Sequence, residues 1–335
     1  MSERCILQYP TARYSGTGGL WTRAGEIRGI IGGMHSRYEH NGLVWIDLES
    51  PSRDEVHDIV DQFSIAPLIA EELLLPSTKP RVDFFKDYAY LVLHFPALRH
   101  SHKSREQEID FIVGRNFLIT THYDTIDPLH KFSKVFEVNS MLEKSNLGHA
   151  GYLLFYMLKN LYQAVEHELE YIQHDLSTIE EHIFSGHEVK MVESISIRSR
   201  DLLTLRQRIE PHREVLRDFE VGASNFFGAE FSPYLRAISD EYYRVHNHIM
   251  RATESLHELR ETNNSLLTTK QNETMRVLTI MALLTFPLAL FVAIFDINAT
   301  SNPIIGLPYD FWIIVGSVFT AGAGMLWYFR YKKWL

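Results

Sequence analysis

Cysteine is nearly absent. Cys5 is the only one in 335 residues, so no disulfide can close within the chain and nothing marks an oxidising compartment. Basic residues are outnumbered, 33 Lys and Arg against 42 Asp and Glu, for a formal net charge of -9. A nucleic-acid binder would show a basic face, and nucleic acid is not an expected partner. The opening stretch MSERCILQYPTARYSG has no basic region followed by an apolar run, so no signal peptide is expected there. Gly16-Thr17-Gly18-Gly19 and the glycines between Gly29 and Gly33 lack the following lysine and helix entry of a phosphate loop, which leaves ATP-driven pumping unsupported. No catalytic constellation stands out, and the chain does not read as an enzyme.

Charge is also missing from two long stretches, Val277 to Phe295 and Phe311 to Phe329, each 19 residues long. At 1.5 Å per residue each makes about 28 Å of helix, close to the hydrocarbon thickness of a bilayer. Two spans cannot enclose a pore within one chain, so a conducting pathway requires a homo-oligomer. Lys270 and Arg276 precede the first span and Arg330, Lys332 and Lys333 follow the second, whereas the connecting loop carries only Asp296 and Asp310. By the positive-inside rule both termini are cytoplasmic. Trp312, Trp327, Tyr328 and Trp334 lie near span ends, where amphipathic rings meet membrane lipids at headgroup depth.

The remaining sequence reads as an α+β membrane protein. It has an N-terminal α/β cytosolic domain (1–128), a cytosolic helical region (129–232) containing a helical hairpin, and a long stalk helix (233–276). The first transmembrane helix (277–295), an outer loop (296–310), the second transmembrane helix (311–329) and a basic tail (330–335) follow. Gly42 to Leu48, Arg81 to Phe95 and Ile109 to Thr121 have strand character, the last turning near Gly114-Arg115-Asn116. Ser52 with Glu55 three residues on marks a capped helix start. Leu153 to Phe184 and Glu188 to Arg217 should pair as the hairpin across Phe184-Ser185-Gly186-His187, and Glu220 to Pro233 reads as a loop. Neither proline nor glycine occurs from Tyr234 to Phe286, which lets one helix run into the membrane. Its stripe of Ile238, Tyr242, Val245, Ile249, Ala252, Leu256, Leu259, Asn263 and Leu266 has coiled-coil spacing. That stripe fits packing against the hairpin or a seam between subunits.

Three stretches resemble the CorA-type family of divalent-cation channels, which includes ZntB-like zinc transporters. They are Trp45-Ile46-Asp47-Leu48-Glu49 with Pro67 to Leu93, then Asn272 to Thr279 with Phe286-Pro287, and the ending Tyr331-Lys332-Lys333-Trp334-Leu335. The resemblance implies an inner-membrane homopentamer with a cytosolic funnel, a pore-lining stalk helix and an outer Gly-Met-Asn turn that offers oxygens to a hydrated cation. Asp296-Ile297-Asn298 stands where the family has Gly-Met-Asn, keeping the asparagine and adding charge. No cofactor is implied beyond a divalent cation as transported or regulatory ion, with magnesium or zinc foremost and cobalt or nickel as further candidates.

The candidate pore entrance is therefore Asp296, Ile297 and Asn298. Asn298 reads as an acceptor for the ion's bound water or as a turn cap, and Asp296 as a selectivity ring or a solvated helix-end carboxylate. Asn272, Met275, Leu278, Thr279, Ala282, Phe286, Ala289 and Ala293 share one helix face. By resemblance that face lines the pore; packing on the second span is the alternative. His167, Glu170 and His174 fall at helical spacing and form a candidate metal site, or a solvated helix face. A non-conducting CorA-like scaffold or metal sensor remains the alternative to a channel.

Overall fold

The computed structural model describes residues 35–40, 42–96, 106–124, 126, 128–130, 132, 148–295 and 309–332. Its N-terminal part is built on a six-stranded sheet: β1 (His35–His40), β2 (Leu43–Glu49), β3 (Arg81–Phe84), β4 (Tyr88–Pro96), β5 (Glu106–Gly114) and β6 (Phe117–His122). The spatial order is β1-β2-β6-β5-β4-β3, with β2 and β6 parallel and every other pair antiparallel. Alternation along the strands separates two apolar faces. On β4, Tyr88, Tyr90 and Val92 face α1 (Arg53–Phe63) and α2 (Pro67–Glu72), packing with Val56, Ile59 and Ile69. Ala89, Leu91, Leu93 and Phe95 face the opposite way, into a core shared with the helices that follow. The expected capping box starts α1: Glu55 N–H donates to Ser52 Oγ, and Ser52 N–H donates to Glu55 Oε2 at 2.8 Å.

Four helices build the second layer and the stalk: α3 (Gly151–Phe184), α4 (Glu188–Ile209), α5 (His212–Phe227) and α6 (Ser232–Phe295). The expected second hairpin helix, Glu188 to Arg217, is broken at Glu210-Pro211, because proline brings no N–H to an interior turn and crowds the preceding one. The stretch expected as a loop, Glu220 to Pro233, is largely helical. There α5 runs to Phe227, Gly228 turns the chain at φ +96°, and a 3-10 turn, Ala229–Phe231, leads into α6. Burial of Phe219, Ala223 and Phe231 overrides the loop-like composition.

The α6 stripe takes the packing role. Ile238, Tyr242, Val245, Ile249, Ala252, Leu256 and Asn263 are buried within the single chain, with Leu259 and Leu266 partly so, as α6 lies against α3 and α4. Pairings of Tyr162 with Tyr242 and of Glu166 with His248 make α3 parallel to α6. The 64-residue α6 is about 96 Å long at 1.5 Å per residue. Residues α7 (Asp310–Tyr331) return beside its far end.

Sheet and helices are tied through His212. Tyr162 O–H donates to its Nδ1 at 2.9 Å, and its Nε2–H donates to the His94 carbonyl at 3.0 Å. Complete burial lowers its pKa to about 3, so the ring is neutral and both nitrogens are used.

Candidate ion pathway

The membrane end of α6 carries the eight residues of the candidate pore face. At 100° per residue they occupy an arc of about 120°. Asn272, Met275, Leu278, Thr279, Phe286, Ala289 and Ala293 are exposed in the single chain and Ala282 is partly covered. Phe286 is the most open of these large side chains at 74 %. The half-buried Ile280, Leu284, Leu288 and Phe291 cluster about 175° away on the same helical wheel. That opposite face meets α7: Leu288 Cδ1 would lie 3.6 Å from a Cβ placed on Gly322. The second span therefore packs on the back of the candidate face and leaves its front open. Methionine, leucine and phenylalanine there can form dewetting constrictions around a shared axis.

Close approach at Gly322 supplies a test of this packing. Gly322→Ala should be tolerated, since 3.6 Å is ordinary carbon contact. Gly322→Phe should separate the spans and lower the oligomer's thermal stability in detergent, which size-exclusion chromatography after heating would measure.

Hydroxyls in the spans are satisfied locally. Thr279 donates to the Met275 carbonyl at 2.8 Å, Thr285 to Met281 at 2.9 Å and Thr320 to Gly316 at 3.0 Å. Such back-bonding hides the donor from hydrocarbon. On the candidate face it leaves the Thr279 oxygen to accept from a hydrated ion.

Asp296, Ile297 and Asn298 lie outside the described residues. The expected His167, Glu170 and His174 group does not assemble as a metal site. His167 Nδ1 lies 3.2 Å from Glu170 Oε2 in an exposed surface pair, and His174 is exposed one turn beyond. Among the described residues, no group of three or more His, Cys, Asp or Glu side chains could hold a metal. Seven-residue spacing along α3 carries the two imidazoles about 10 Å apart along the axis, too far for one ion.

Two charged features were not found by sequence spacing. At the membrane end of the hairpin, Lys270 Nζ meets Glu188 Oε2 at 2.7 Å, and this hydrogen bond holds the buried Glu188 carboxyl below its usual range. The partners are 82 positions apart, and only the parallel course of α3 and α6 brings them together. Inside the sheet domain, His94 Nε2 lies 3.1 Å from Glu108 Oε2, and the Ser77 N–H donates to Glu108 Oε1 at 2.7 Å. Neighbouring Asp110 is fully buried beside Tyr90 and Glu108. Burial raises its pKa, and the Glu108 charge adds to the rise. Alternating acids on one strand, Glu108 and Asp110, were the available signal.

Comparison with known proteins matches residues 40–333 to the family described as CorA-like Mg2+ transporter protein. The cobalt/magnesium transport protein CorA of Thermotoga maritima is 26% identical over 296 residues, covering 87% of this chain and 83% of that protein. A putative metal ion transporter of Bacillus subtilis, YfjQ, is 24% identical over 290 residues, covering 87% and 89%. Among solved structures, the complete CorA magnesium transporter from Methanocaldococcus jannaschii superposes with a TM-score of 0.77 at 18% identity, covering 89% of this chain and 93% of that one.

Proposed function

The chain belongs to the CorA-like Mg2+ transporter family, and from that premise we propose that it conducts divalent cations along the axis of a homo-oligomer, with five copies as the family resemblance implies. Members of this family are transporters or channels, and this chain is a membrane protein rather than an enzyme. The observation that carries the reading is the division of the first span into two faces, one covered by α7 and the other open. Met275, Leu278, Thr279 and Phe286 lie opposite the covered stripe, where they are free to face a shared axis, while exposed flanking residues such as Val277 and Met281 are left for lipid or a neighbouring subunit. Asp296, Ile297 and Asn298 form the outer mouth in this reading. Asn298 accepts from the ion's water shell, and the Asp296 ring raises local cation concentration.

By the positive-inside rule both termini lie in the cytoplasm, and the inner membrane is the location that the family resemblance implies. Ions then move down their own gradient, aided by the membrane potential at about 2.3 kcal/mol per charge per 100 mV. Magnesium leads as substrate because its tightly held water suits the Asn298 amide as acceptor; cobalt, nickel and zinc are the competitors. Purified protein in liposomes should raise uptake of at least one of these four ions above empty vesicles in a potential-dependent manner. No uptake of any of them would leave the scaffold or sensor reading in its place.

A further inference from the structure

The hairpin between α3 and α4 ends in a turn whose form is fixed. His187 N–H donates to the His182 carbonyl at 3.0 Å and Gly186 N–H to the Ile183 carbonyl at 3.3 Å. This is the paired closure of a Schellman motif, and Gly186 supplies the required positive φ of +92°. Ser185 Oγ adds a bond to the His182 carbonyl at 3.1 Å. Ile183 points inward and is fully buried, while its neighbour Phe184 is 67 % exposed and Val189 is 74 % exposed. Two large apolar side chains thus project from a built turn.

The place of that turn is set by the Lys270–Glu188 pair. Lys270 precedes the first apolar residue of the span, Val277, by seven positions, which is about 10 Å of helix. The headgroup layer on each side of the hydrocarbon is roughly 5–8 Å deep, taken from total and core bilayer thickness. A tip level with Lys270 therefore lies at the outer boundary of the headgroups, within reach of a phenylalanine ring. Lys190 and Lys270 supply cations near this level and Arg276 about 9 Å nearer the hydrocarbon, with Glu188, paired to Lys270, and Glu180, Glu181 and Glu193 as the opposing carboxylates on the hairpin.

We propose that the hairpin tip docks on the phospholipid headgroup layer beside the stalk, with Phe184 and Val189 as its apolar contacts. Amphipathic segments gain about 25 cal/mol per Å² of apolar surface removed from water, and these side chains lose no packing elsewhere by inserting. Such docking makes the tip a third membrane contact for each subunit and couples the helices around α6 to the bilayer surface. It requires the spans to lie in a membrane and is independent of whether ions pass.

Spin labels test this in full-length Cys5→Ser protein reconstituted in phosphatidylcholine–phosphatidylglycerol vesicles. Labels go on Phe184→Cys, Val189→Cys and, as a control, Leu203→Cys, an exposed position on α4 about 21 Å further from the tip. Collision with oxygen relative to chromium oxalate should be severalfold higher at 184 and 189 than at 203, because oxygen partitions into the bilayer and the chromium complex is excluded. Equal ratios at all three positions would overturn the proposal. So would spin–spin broadening at 184 and 189 without the oxygen preference, which would assign the tip to a neighbouring subunit. Cation uptake by the same vesicles is scored separately, so loss of transport and loss of docking remain distinguishable.

Discussion

Phe286→Ala should raise divalent-cation flux by roughly tenfold, equivalent to about 1.4 kcal/mol off a barrier. The ring is exposed in the single chain, on the face that α7 leaves open. Around a shared axis a set of such rings narrows and dries the pathway, whereas alanine leaves room for a hydrated ion. Asn298→Ala should act in the opposite direction. A hydrogen bond to a charged group contributes about 1.5–3 kcal/mol, so losing the acceptor should lower flux by roughly tenfold to a hundredfold. Radiometric or fluorescent uptake into liposomes, with oligomeric state checked for each variant, measures both. Equal flux in wild type and both variants would remove the proposed pathway.

His212→Ala should be the most damaging change in the cytosolic part. It removes a buried ring and orphans two groups, the Tyr162 hydroxyl and the His94 carbonyl. Unsatisfied buried groups cost about 1–3 kcal/mol each, and with the cavity the loss should reach roughly 3–5 kcal/mol. The native ring also shapes the acid response. In the unfolded chain it takes a proton near 6.5, but in the fold only near 3, so the unfolded state binds the extra proton between those values. Its contribution is intact above pH 6.5 and is lost as pH falls from 6.5 towards 3, at about 1.4 kcal/mol per unit. Asp110 acts with the opposite sign. Its raised pKa favours the fold in acid, and that contribution is lost as pH rises above the ordinary carboxylate range. Denaturant unfolding of wild type and His212→Ala at several pH values isolates the histidine's part; an unchanged acid slope in the variant would refute it.

What the sequence made legible followed from local rules. The Ser52–Glu55 box, the turn at Gly114 to Asn116 and the unbroken run into the first span each depend on residues close in the chain. The α6 stripe was legible as a seam, although its partner was not, because heptad spacing is the same within and between chains. The errors arose where tertiary packing or one residue decided. Pro211 split a helix whose apolar period continued on either side, and buried Phe219 and Phe231 turned a glycine- and serine-containing stretch helical. His167, Glu170 and His174 had helical spacing but no second element to close a coordination shell. The Glu188–Lys270 pair lay beyond any spacing rule, since it depends on how the hairpin lies along α6. At the membrane, one-sidedness of the first span could be drawn from the sequence, and the α7 contact at Leu288 decides which side is covered.

Cysteine scanning along the first span tests the open face as the ion pathway most directly. In Cys5→Ser protein, single cysteines replace Met275, Leu278, Thr279, Ala282 and Phe286 on the open face, and Ile280, Leu284 and Leu288 on the covered face. A membrane-impermeant cationic thiol reagent is then applied to reconstituted vesicles during cation uptake. The expected result is inhibition that recurs every three to four residues, present at the first five positions and absent at the last three. Inhibition at Leu284 and Leu288 but not at Met275 and Thr279, or no periodicity at all, would contradict an ion pathway lined by this face.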